Sequence, residues 1–128
     1  MKTRLHIGEI QRLLKEHEPI CICLQHVNTL VQNIWKYSLA ASSIPKEGTL
    51  GTAIYVHHKV TYDKIIPTSD YLQNSVIKLH LSENNTITLC NFYNQPNQNY
   101  NLKQLPNLLS KLQQPILIVG AFNDHHPL

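Results

Sequence analysis

Twice in this chain a proline separates an amphipathic helical stretch from a short apolar run. Pro19 stands between residues 3–17 and Ile20–Leu24, and Pro115 stands between a leucine-rich stretch and Ile116–Val119. Proline cannot continue a helix interior, and it biases the residue before it toward extended backbone. Each helix must therefore stop where the apolar run begins. Runs this short, apolar on both faces and partly β-branched, read as buried strands, the pattern typical of parallel pairing. A helix feeding a buried strand at each end of the chain points to an α/β fold.

Between the two units the periodicity shortens. Leu5, Ile10, Leu13, Leu14 and His17 share the apolar face of the first helix, with Glu9, Arg12, Lys15 and Glu16 toward water. Ile34 to Ala41 is expected as a strand, Ser42 to Gly48 as a loop, and Leu50 to His57 as a strand. Val60 to Ile66 is expected to pair with that strand across a turn at His58-Lys59. Ser75 to Ser82 alternates apolar and polar residues, Glu83-Asn84-Asn85 is a turn, and Thr86 to Tyr93 completes a hairpin. Gln95 to Tyr100 reads as a loop. Leu102, Leu105, Leu108, Leu109 and Leu112 mark the second helix, which starts near Pro106 because proline is tolerated only in a first turn. The expected order is two helix-to-strand units around a five-strand antiparallel meander. Ile20–Leu24, Thr86–Tyr93 and Ile116–Val119 would lie inside, with both helices on outer faces. Two packed sheets or one mixed sheet satisfy this order.

The chain has 128 residues, enough for one domain. A hydrophobic share of 42% excludes general disorder, and only 15% of residues are charged, with twelve Asn and nine Gln supplying uncharged polarity. The net charge of +3 permits contact with nucleic acid without arguing for it. No apolar run approaches the ~20 residues that span a bilayer, and Glu9 interrupts any signal-peptide core. Three cysteines are too few for a disulfide scaffold, so an intracellular location, nuclear or cytoplasmic, is expected.

Polar residues gather just after the strands: Gln25-His26, Asn91 to Tyr93, and Asn123 to His126. Strand ends that point the same way can meet on one rim, where a site is expected. Four segments there carry a resemblance. Cys23-Leu24-Gln25-His26, Gly51-Thr52-Ala53-Ile54, Asn91-Phe92-Tyr93-Asn94-Gln95-Pro96-Asn97 and Gly120-Ala121-Phe122-Asn123-Asp124-His125-His126 follow one another in that order. In order, spacing and flanking elements the chain resembles the endonuclease domain of non-LTR retrotransposons, within the exonuclease–endonuclease–phosphatase superfamily.

The resemblance implies a partial two-sheet α/β sandwich over residues 1–128, with the first strand and the C-terminal part of the family domain lying outside the match. It implies descent from a Mg²⁺-dependent DNA-nicking enzyme, part of a polyprotein that also carries a reverse transcriptase. In that family a carboxylate holds Mg²⁺ on a phosphate oxygen. An Asp/Asn pair positions the attacking water, and a Tyr and a late His stabilise the phosphate charge. Tyr93 and Asn123 match catalytic positions. His26 stands where the family has its metal-binding Glu, and Ala121 where it has the Asp of the Gly-Asp-Phe-Asn motif. Gln25, Asn91, Asp124 and His125 are further rim candidates. With both carboxylates lost, this copy is expected to be inactive and to bind no Mg²⁺ productively. DNA is the ancestral substrate, and neither a membrane nor a small-molecule cofactor is expected. Imidazole suits Zn²⁺ or Mn²⁺ better than Mg²⁺, and Asp124 would have to fold back to replace the missing acid.

Plainer readings stand beside these. Cys21 and Cys23 are expected on opposite faces of their strand, as small hydrophobes. His57-His58 and His125-His126 match no zinc spacing and are expected in turns. His17 is expected to pack against the sheet. Lys59, Lys64, Lys78 and Lys103 are scattered rather than forming a phosphate track. Two rival readings remain: a non-catalytic nucleic-acid-binding remnant, and an unrelated small α/β interaction domain.

Overall fold

The first apolar run does become a strand, but with a different partner and direction from those its composition suggests. In a computed structural model that describes residues 7–27, 30–43, 51–65, 73–93 and 105–121, the order begins with helix α1 (Ile7–His17) and strand β1 (Cys21–Val27). β1 pairs antiparallel with β4 (Gly51–His57) and forms an edge of its sheet. That sheet runs β1-β4-β3-β2, with β2 (Asn33–Ile34) and β3 (Tyr37–Ser43) joined at Trp35-Lys36, where Lys36 takes a φ of 60°. The second sheet runs β5-β6-β7-β8: β5 (Thr61–Ile65), β6 (Gln73–Ser82), β7 (Asn85–Tyr93) and β8 (Ile116–Ala121). Helix α2 (Leu105–Ser110) lies between β7 and β8, which pair in parallel, with Pro106 in its first turn as expected.

Two sheets packed face to face make the mixed α/β sandwich expected from the sequence. Ala40, Ile54 and Val56 of one sheet meet Ile77, Leu79 and Leu89 of the other, with Cys21 and Cys23 at the margin of this core. The outer face of the first sheet is covered by α1. Leu14 and Ile10 pack there against Val27, Ile34, Tyr37, Ala53 and Tyr55. Fully burying such side chains stabilises by about 1.5–3 kcal/mol each. β1 thus has one face under a helix and one against the second sheet. Such a strand reads as continuously apolar whatever the direction of its partner.

Several expectations are corrected. The turn at His58-Lys59 does not close a hairpin: β5 crosses to the other sheet and pairs with β6. Among the described residues both β1 and β8 are edge strands, not interior ones: Ile20 precedes β1 and is 48% exposed, and Leu117 of β8 is 51% exposed. Cys21 and Cys23 lie on one face, because strand side chains alternate with period two. His17 is exposed (72% of its side chain), and Leu13 is exposed too. At 3.6 residues per turn Leu13 is rotated by about 60–100° from the Ile10–Leu14 stripe, and His17 lies at the stripe's margin in the last turn. Ser42 and Ser43 belong to β3, while residues 44–48 of the expected loop, residues 3–6 of the first helix and the loop at 95–100 lie outside the described residues.

The C-terminus of α1 is tied to the far end of the first sheet. Glu18 takes a φ of 43° and its N–H donates to Leu14 O (2.8 Å), closing the helix. Its carboxylate accepts from His57 Nε2 (2.9 Å) and Lys36 Nζ (3.1 Å). Lys59 N–H donates to His57 Nδ1 (3.0 Å), which places the imidazole proton on Nε2, toward Glu18. His57 is therefore buried in a strand end rather than set in a turn, and it acts as a bolt between helix and sheet.

Candidate functional site at one rim of the sandwich

Gly51 and Thr52 in β4 and Ser75 in β6 lie toward the N-terminal ends of their strands, and Gln25, Asn91, Tyr93 and Ala121 toward the C-terminal ends of β1, β7 and β8, so the pairing gathers all of them at one rim. Gln25 pairs with Thr52, Ser75 with Asn91, and Tyr93 with both Gln73 and Ala121. The two sheets are joined here by polar side chains, in contrast to the apolar core behind them. Gln25 Nε2 donates to Asn91 Oδ1 at 2.6 Å. Asn91 Nδ2 donates in turn to Leu24 O (2.9 Å) and Ala53 O (3.0 Å). Thr52 Oγ1 donates to Ser75 Oγ at 3.0 Å, again from one sheet to the other. Asn91 has no exposed surface, so these bonds replace water for its whole amide.

His26 owes its position to backbone geometry. The β1–β4 register shifts between Gln25 and Val27, and His26 takes a φ of 63°. It is the extra residue of a β-bulge, a device that bends a strand and re-aims a side chain. Its imidazole lies against the Tyr93 ring, centroids 5.7 Å apart and planes tilted by 39°. Tyr93 is buried, and desolvation raises its phenol above the ordinary tyrosine range. At neutral pH it is a hydroxyl donor, not a phenolate.

Of the expected site residues, the fold brings Gln25, His26, Asn91 and Tyr93 together. It sets Ala121 beside Tyr93 in the parallel β7–β8 register. Gln25 and Asn91 bond to each other. Asn123, Asp124 and His125 lie outside the described residues. Thr52 and Ser75 were not singled out by sequence. Their signal is a hydroxyl residue just before an apolar pair, Thr52 before Ala53-Ile54 and Ser75 before Val76-Ile77.

The donor set among the described residues does not fit Mg²⁺. Among the described residues no group of three or more His, Cys, Asp or Glu could hold a metal ion. The described part of the rim offers an imidazole, a protonated phenol and amides already engaged, whereas Mg²⁺ is held through carboxylate oxygens. The cysteines lie elsewhere: Cys90 is buried, and desolvation pushes its thiol up to about 11.

Among the described residues no helix is long and apolar enough to cross a membrane. No family model and no curated protein matches the sequence. Among solved structures, the endonuclease domain of TRAS1, a telomere-specific non-LTR retrotransposon, superposes with a TM-score of 0.70 at 15% sequence identity. The match covers 93% of this chain and 53% of that one. The chain thus has the two-sheet α/β fold of a retrotransposon endonuclease domain, and it spans about half the length of that domain.

Proposed function

We propose that this chain is an endonuclease-type domain segment, descended from a DNA-nicking enzyme, whose rim no longer supports metal-dependent phosphodiester hydrolysis. One observation supports the reading: the two substituted positions both neighbour Tyr93, His26 by ring contact and Ala121 by strand register. Residues 95 positions apart in sequence, both named from the family resemblance, neighbour a single tyrosine. An unrelated interaction domain gives no reason for that convergence. Hydrolysis at such a rim would need a carboxylate-held metal on the phosphate and a carboxylate to take the proton of the attacking water. His26 and Ala121 supply neither, while Tyr93 keeps a hydroxyl that can donate to a phosphate oxygen.

The test is calorimetric titration of Mg²⁺ into the full chain and into the double variant His26→Glu with Ala121→Asp. The unmodified chain should give no saturable heat, and the double variant should bind. Saturable Mg²⁺ binding by the unmodified chain would defeat the reading.

A further inference from the structure

Two of the three thiols are set side by side. Cys21 and Cys23 occupy alternate positions in the regular part of β1, ahead of the bulge, so their side chains leave the same face of the strand. Both pack at the margin of the core between the sheets, and both are half-buried rather than sealed. The Cys23 thiol donates to the Cys21 sulfur. That bond favours the thiolate of Cys21, whose pKa is lowered, and together with burial it pushes the Cys23 thiol up. Cys90 takes no part: Asn91 bonds carbonyls of the first sheet, so its neighbour Cys90 points to the opposite face of β7. Alternate residues of an extended strand are ~6.6 Å apart along the backbone, two steps of ~3.3 Å. A disulfide needs Cβ atoms about 3.5–4.5 Å apart. The pair is therefore spaced for an inserted atom rather than for a direct S–S bond.

We propose that Cys21 and Cys23 form a two-sulfur site for a soft monovalent cation, Cu(I). Thiolate sulfur selects Cu(I) among the first-row ions, and Cu(I) is satisfied by two such ligands. A structural Zn²⁺ site needs four, and among the described residues no group of three or more His, Cys, Asp or Glu could hold a metal ion. Cu(I) takes the place of the proton that the two sulfurs share. Two Cu–S bonds form, the S–H bond of Cys23 breaks, and its proton leaves to water, with that of Cys21 where it is still bound. Starting from the Cys21 thiolate, one unit positive charge replaces another, so the apolar margin takes on no added charge. The neighbours across β4, Val56 beside Cys21 and Ile54 beside Cys23, offer no competing ligand. The proposal rests on β1 alone and stands or falls independently of the nuclease reading.

Anaerobic titration of the full, reduced chain with Cu(I) held by the coloured chelator bicinchoninate tests it. The chain should take one equivalent of Cu(I) from the chelator and gain an ultraviolet thiolate-to-copper band. Cys21→Val and Cys23→Val, whose side chains suit a half-buried strand, should each lose both signals, and Cys90→Ala should keep them. On the unmodified chain, loading with Cu(I) should protect Cys21 and Cys23 from alkylation by iodoacetamide, read by peptide mass; this needs no variant and so does not depend on one folding. No transfer of Cu(I) from the chelator, a band persisting in either valine variant, loss of the band in Cys90→Ala, one Cu(I) shared between two chains, or no protection of the two cysteines would each overturn it.

Discussion

Gln25 and Asn91, 66 positions apart in sequence, join the two sheets through a 2.6 Å hydrogen bond, and Asn91 also bonds the carbonyls of Leu24 and Ala53. Those two carbonyls belong to directly paired residues of β1 and β4. One buried amide thus clamps three strands. Polar groups removed from water cost free energy unless partnered, and the cost appears when one partner is deleted.

Asn91→Leu keeps the side-chain size and removes every one of these bonds. It should destabilise the chain by about 2–3 kcal/mol, the penalty of stranding buried partners. Urea unfolding should show a lower midpoint with an unchanged slope. A midpoint equal to that of the unmodified chain would show the clamp to be dispensable.

Gly120 sits opposite Phe92 in the parallel β7–β8 pair. A Cβ added there would lie 2.1 Å from Phe92 O, backbone that cannot swing aside. Gly120→Ala must therefore shift β8 away from β7, and a loss of about 3 kcal/mol or more is expected, at the upper end for overpacking. Hydrogen exchange read by mass spectrometry should show the loss of protection concentrated in β8. Gly8, with nothing within 4 Å of its added Cβ, provides the control: Gly8→Ala should be neutral or slightly stabilising.

Glu18 sets a pH dependence. Its pKa is lowered first by the bond from His57, then by that from Lys36. A carboxylate whose pKa is lower in the folded state contributes stability above the unfolded value, near 4.3, and loses it as pH falls through the folded value. Stability should therefore decline as pH drops below about 4.3, and Glu18→Gln should flatten that part of the curve. Denaturant midpoints measured across the acid range check this. An unchanged slope in the variant would assign the acid loss to other groups.

Local chemistry made some of the fold legible in sequence. The β6–β7 hairpin was visible because alternation on both sides of Glu83-Asn84 leaves one register that keeps Ile77, Leu79 and Leu89 inside. The rim was visible because Gln25, His26, Asn91 and Tyr93 interrupt or end apolar runs. What could not be read was which strand meets which. The His58-Lys59 turn looks like a hairpin loop, yet the chain passes there from one sheet to the other. Turn composition fixes a reversal and not the partner. The direction of β1 is not legible in sequence, because packing on two faces erases the alternation that marks antiparallel strands. The bulge at His26 had no local signal: the residue type only tolerates a positive φ, and the register mismatch that imposes it comes from β4.

The central claim is that the rim keeps the shape of a phosphodiesterase site without its acids, and plasmid nicking tests it most directly. Supercoiled DNA is incubated with the full chain and Mg²⁺, Mn²⁺ or Zn²⁺, with EDTA as control, and conversion to open circles is followed. General acid–base groups contribute ~10²–10⁴-fold, and charge stabilisation at the reacting phosphate is often larger, so two missing acids should leave no turnover above the EDTA control. His26→Glu with Ala121→Asp should raise Mg²⁺ affinity without efficient cleavage. Metal-dependent nicking by the unmodified chain, abolished by Asn123→Ala, would contradict the account and make His26 or Asp124 a working ligand.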